Sequence, residues 1–197
     1  MTEPQKADAA APRLPLLVLR CQAGDERAFA RLHEQFGART LGYLRGLVGD
    51  DAEDVQQEVW LAVYRQVSQL ADPGAFCTWL FRTARHRAID HLRRRRRERE
   101  LFVENEDVEL LPDPAGRAES IDVAQWEELL HELPALQREA LVLRHNDEMS
   151  YAEIALVVGC PVGTVRSRLF HARQRLEQLL NARTAPAPRA STQGGGT

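Results

Sequence analysis

The chain has 197 residues, with 26 basic against 29 acidic side chains and a formal net charge of −3. That length holds one ordinary domain or two small ones, and the near balance of charge excludes a uniformly basic nucleic-acid coat. Cys21, Cys77 and Cys160 stand far apart without a Cys-x-x-Cys pair or a histidine cluster, so neither a disulfide framework nor a metal cage is signalled.

Residues 1–13 are rich in Ala and Pro, have no periodicity and are expected to be disordered. From Leu14 to Arg99 apolar residues recur at spacings of three and four without strand-like alternation, which predicts helices throughout this first domain. A first helix with Leu16, Leu17 and Leu19 stops near Gly24. Asp25 stands where an N-cap would start Glu26 to Phe36, and the pattern runs on, bent at Gly37, through Leu41, Tyr43, Leu44 and Val48. Asp51 is placed to cap a third helix, Ala52 to about Gln69, with Val55, Val59, Ala62 and Val63 inward and Asp51, Asp54 and Glu58 on another face. Asp72-Pro73-Gly74 reads as a turn, and Phe76 opens a fourth helix whose apolar contacts come from Trp79, Leu80, Ala84, Ala88, Ile89 and Leu92.

Charge along the chain is segregated. Trp79 to Arg99 carries nine arginines against two acids, and arginines interleaved with Trp79, Phe81 and His86 suit melted DNA, where aromatic faces stack on bases and guanidiniums hold phosphates. The plainer readings are a solvated run for Arg93 to Arg97, a solvated acidic face for the Asp51 helix and a core position for Trp79. Glu100 to Glu132 inverts the sign, with eleven acids facing Arg117 alone. Within it, residues 100–121 hold Pro112, Pro114 and Gly116 and lack an apolar stripe, so they read as a flexible linker that self-repulsion keeps extended.

Residues 122–183 predict a second domain of four short helices: Val123 to Glu132, Gln137 to His145 after a break at Leu133-Pro134, Tyr151 to Val158, and Val162 to Leu180. Residues 184–197 are an expected disordered tail. Ser150 and Glu153 have capping-box spacing, Gly159 suits a tight turn, and Pro161 and Thr164 mark the next helix start. That helix turns Val165 and Leu169 inward and aims Arg166, Ser167, Arg168, Phe170 and His171 outward near its start, with Arg173 and Arg175 following for phosphates. This is a helix-turn-helix with a recognition helix for duplex DNA. An ordinary helical hairpin with a solvated arginine face is the bland alternative.

With these elements in this order, positions 14 to 181 closely resemble bacterial sigma factors of the extracytoplasmic-function group. The resemblance implies an all-α chain of two small helical domains joined by a flexible acidic linker, the second domain containing the helix-turn-helix. It implies that the stretch Asp51-Ala-Glu-Asp54-Val-Gln-Gln57-Glu58-Val-Trp60 binds core RNA polymerase, through Asp51, Asp54, Gln57, Glu58 and Trp60. Phe76 to Leu92 resembles the part that opens the promoter's minus-ten element, which assigns Trp79, Arg82, Arg85, His86 and Arg93 to that DNA, with the loop Ser68 to Ala75 holding a flipped base. Thr164, Arg166, Ser167, Arg168, Phe170, His171 and Arg173 fall to the minus-thirty-five element. Gln56, His86 and His171 depart from the family's usual residues. The implied partners are polymerase, promoter DNA and an anti-sigma factor, and an acidic linker lying in a basic polymerase channel is a further implication. No apolar run is long enough for membrane insertion and no charged-then-apolar leader begins the chain, so a cytoplasmic location is expected. Nothing resembles a nucleophile or a phosphate loop, and His33, His86, His91, His131, His145 and His171 lack motif spacing; no enzyme activity, cofactor or metal is expected. Two rivals differ in class: a helix-turn-helix regulator that binds DNA without docking on polymerase, and an adaptor that docks without promoter selectivity.

Overall fold

The computed structural model describes residues 14–100, 128–146 and 149–184. Among them seven α-helices form and no strand does: α1 (Leu14–Gln22), α2 (Glu26–Val48), α3 (Ala52–Gln66), α4 (Phe76–Glu100), α5 (Ala135–Asn146), α6 (Tyr151–Val158) and α7 (Val162–Thr184). The expected disordered start, nearly all of the expected linker and tail, and most of the Val123 to Glu132 helix lie outside the described residues; of that helix, 128–131 is seen as helical.

Local signals explain most boundaries. Asp25 caps α2, its carboxylate accepting from the Arg27 and Ala28 amides, and Gly24 makes the turn before it at φ 86°. The Arg20 guanidinium hydrogen-bonds Asp25 and, with the helix amides, holds its carboxyl below the usual aspartate value. Beside it, burial pushes the Cys21 thiol up, and the Asp25 charge adds to this. Cys77 and Cys160 are half-buried, and neither is in a disulfide.

The second helix runs on past Gly37 as expected, and two expectations about the third helix are corrected. The second helix is one element from Glu26 to Val48, running through Gly37. A mid-helix glycine costs only about 1 kcal/mol, and here the Thr40 hydroxyl returns to the Phe36 carbonyl at 2.8 Å while flanking Phe36 and Leu44 are buried. Asp51 does not cap α3 with its side chain: the chain enters through a 3₁₀ turn, Gly49–Asp51, and the carboxylate turns to His91 and Arg95 on α4 instead. The helix also ends earlier, at Gln66, its last turn tightening to 3₁₀ over Val67–Gln69.

The α1–α4 bundle buries Leu17, Val18, Leu32, Phe36, Leu44, Val55, Val59, Val63, Phe76, Leu80 and Phe81. In α5–α7 the inner residues are Leu143, Ile154, Val158, Val165 and Leu169. The two groups join in one core, because α5 packs on α2 and α6 packs on α4.

Phe81, read from sequence as a base-stacking aromatic, is wholly buried, edge-on to Tyr43 at 5.4 Å. It faces inward because it continues the stripe of Phe76, Leu80, Ala84 and Ala88. Phe81→Ala is expected to lower stability by about 3–5 kcal/mol in denaturant unfolding, the cost of truncating a core aromatic.

Candidate nucleic-acid interface

The recognition unit is built from α6 and α7. Ser150 Oγ accepts from the Glu153 amide at 3.2 Å while Glu153 Oε2 accepts from the Ser150 amide at 2.8 Å, a closed capping box. These bonds with Ser150, first the side-chain one and then the backbone one, hold the Glu153 carboxyl below its usual range. Gly159 ends α6 in the left-handed region at φ 70°, ψ 41°, a conformation that glycine adopts without Cβ strain, and its amide returns to the Ala155 carbonyl. The approach to α6 is fixed as well: Arg144 donates to the Met149 carbonyl at 2.6 Å and its guanidinium lies 5.5 Å from the Tyr151 ring centre.

On α7, Val165, Leu169, Ala172 and Leu176 are buried, spaced four, three and four, which fixes the rotation of the helix. Arg166, Phe170 and Arg173, spaced four and three, therefore share an exposed face roughly a quarter-turn from that stripe, with Ser167 and His171 beyond them; all five are exposed. Phe170 is 61% exposed, unusual for so large an apolar group, and rests edge-on against His171 at 5.4 Å. Arg168 and Thr164 are half-buried at the margin of this surface.

On α4, Arg82, His86 and Arg93 are exposed and spaced four and seven, so one face carries all three. Trp79 is half-buried and leans on Phe76, ring centres 6.0 Å apart. Arg85 is on a different flank, turned towards α5, where its Nε donates to Glu139 Oε1 at 2.8 Å. The loop before α4 is pinned from α1, Gln22 donating to the Val67 and Leu70 carbonyls at 2.9 and 2.7 Å. Asp72 accepts from the Gly74 amide at 2.8 Å and closes its tip.

The α3 residues divide into two sets. Asp54 and Gln57 are exposed and continue into exposed Leu61 and Tyr64 along one stripe. Asp51 and Glu58, seven residues apart, face α4: His91 Nε2 is 3.0 Å from Asp51 Oδ2, Arg95 also bonds Asp51, and Arg94 donates to both Glu58 oxygens at 3.2 Å. Part of the Arg93 to Arg97 run thus has an internal partner, which the sequence did not signal. Trp60 is only 6% exposed, wedged against His33 at 4.7 Å and Phe29 at 5.9 Å. Gln56, one of the departures, points inward, donating to the Gly37 carbonyl at 2.6 Å.

Residues 32–98 match the model of sigma-70 region 2, and residues 124–176 that of sigma-70 region 4. The RNA polymerase sigma-H factor of Pseudomonas aeruginosa is 38% identical over 83% of this chain and 92% of its own length. The chain belongs to the sigma-70 family, in its extracytoplasmic-function group. The sigma-E factor of Haemophilus influenzae, a named member of that group, is 34% identical over 83% of this chain and 93% of its own. The solved sigma factor RpoE from Bartonella quintana, crystallised with the anti-sigma factor NepR, is similar at 27% identity and a TM-score of 0.62, covering 78% of this chain and 96% of that one. This sigma factor directs RNA polymerase to promoters and is not an enzyme. The rival reading, a helix-turn-helix regulator that does not dock on polymerase, is excluded, because the chain carries sigma-70 region 2 and directs RNA polymerase to promoters. Among the described residues no helix is long and apolar enough to cross a membrane.

Opening the capping box should weaken the recognition unit: Ser150→Ala is expected to cost about 1 kcal/mol in thermal or denaturant unfolding. Glu153 has a lowered folded value, so its contribution is complete above its ordinary 4.5 and disappears as pH falls through the folded value. The stability gap between wild type and Glu153→Gln should therefore shrink in unfolding titrations taken below that ordinary value.

Proposed function

We propose that this sigma factor divides initiation among three surfaces, with 14–99 and 122–183 as its working domains. Asp54 and Gln57 meet core polymerase directly, Asp51 and Glu58 join them from the flank, and Trp60 supports the helix from behind. Trp79, Arg82, Arg85, His86 and Arg93 take the melted minus-ten strand. Thr164, Arg166, Ser167, Arg168, Phe170, His171 and Arg173 read the minus-thirty-five duplex. The observation that carries this reading is the rotation of α7, whose buried Val165, Leu169 and Ala172 leave Arg166, Phe170 and Arg173 together on the open face. A recognition helix needs that phase, with its N-terminal half towards the base edges.

The group to which the Haemophilus relative belongs supports an envelope or stress signal as the trigger, and the Bartonella complex supports control by an anti-sigma factor. That a sigma factor acts on chromosomal promoters supports a cytoplasmic location.

Run-off transcription with core polymerase and this chain tests the whole reading: specific transcripts from a genomic promoter are expected, and their absence on every promoter tried would sink it. Within it, Arg166→Ala or Arg168→Ala should lose about 1–3 kcal/mol of promoter binding, measured against random duplex. Equal loss on both duplexes would make the residue a phosphate contact rather than a base reader.

A further inference from the structure

Glu139 lies on α5 with its side chain 1% exposed. Its Oε1 accepts from the Tyr43 hydroxyl at 2.9 Å and from Arg85 Nε at 2.8 Å, while Oε2 is buried without a hydrogen-bond partner. Desolvating a carboxylate costs several kcal/mol, and an incompletely satisfied buried pair is commonly no more stabilising than an apolar replacement. An interface shaped for stability alone has no need of this group.

The ownership of the three residues is the informative part. Tyr43 on α2 and Arg85 on α4 both belong to the first domain, and only the acceptor comes from the second. The Tyr43 ring is seated edge-on against Phe81, so its hydroxyl keeps its place when α5 is lifted away, and Arg85 remains with it in the first domain. A guanidinium and a phenol converging on one point match an oxyanion, phosphate included. Thr78 stands seven residues before Arg85 on the same flank and meets a second carboxylate of the other domain, Glu153, at 3.5 Å.

The closed arrangement cannot be the one that reads a promoter. With α6 packed against α4 and α7 packed on α6, a single helix lies between the two DNA-reading helices, whereas the elements they serve are separated by roughly 80 Å of duplex at 3.4 Å per base pair. The domains must part, and parting uncovers Tyr43 and Arg85.

We infer that Tyr43 and Arg85 form a binding point for a backbone phosphate of the melted strand, and that Glu139 occupies it in the free chain as an internal stand-in for that phosphate. This rests on the strand-capture reading of α4. DNA and the closed state then exclude each other, so whatever weakens the Glu139 contact raises the fraction of chain able to bind.

The test uses the full chain with Glu139→Gln, which keeps the size of the side chain and removes its charge. Fluorescence anisotropy with labelled single-stranded oligothymidine should show binding about tenfold tighter than wild type, and small-angle scattering a larger radius of gyration. Adding Tyr43→Phe and Arg85→Ala should abolish the gain. Unchanged affinity in a variant that melts cooperatively, or a gain that survives loss of both donors, would overturn the inference. Should Glu139→Gln fail to fold, wild-type chain titrated with inorganic pyrophosphate replaces it: expansion in scattering supports the site, and no expansion refutes it. Promoter-directed run-off by wild-type holoenzyme separates the two failures. Transcripts without the affinity gain remove the Glu139 contact alone, and no transcripts remove the parent reading.

Discussion

The apolar stripe of α4 sets where every basic group of the first domain can point. Phe76, Leu80, Phe81, Ala84 and Ala88 must face α2 and α3, because their burial is the main favourable term holding the bundle together. Once that phase is fixed, side-chain direction follows from helical geometry alone. Arg82, His86 and Arg93 emerge opposite the stripe, Thr78 and Arg85 emerge towards α5 and α6, and His91, Arg94 and Arg95 come down beside α3. One helix therefore offers three differently directed surfaces from a single arginine-rich sequence.

The contacts on those surfaces differ in strength for physical reasons. The Arg94–Glu58 and Arg95–Asp51 pairs are largely solvated, and exposed ion pairs contribute about 0–1 kcal/mol each. They orient the acids of α3 without committing them, so a basic partner can replace the arginines at little cost. The Arg85–Glu139 pair is different, since the carboxylate is enclosed and its partner only slightly less so. Separating it exchanges a desolvated contact for two hydrated ions, an exchange that a competing anion makes easier.

Much of this was legible in the sequence, and the residues that were not share a cause. The recognition unit was readable because its determinants are local: Ser150 and Glu153 are three residues apart, Gly159 needs a positive φ, and the Val165–Leu169 spacing fixes the face of α7. Trp79, whose plainer reading was a core position, is half-buried against Phe76. Phe81 was misplaced because a helix so rich in arginine hides its own phase, and only the wider run of Phe76, Leu80, Ala84 and Ala88 assigns it inward. Asp51 looked like a cap because Gly-Asp-Asp before a helix is a strong local signal, yet His91 and Arg95, some forty residues away, compete for its carboxylate. Glu139 gave no signal at all: Gln137-Arg138-Glu139 reads as a polar face until α2 and α4 are placed against it.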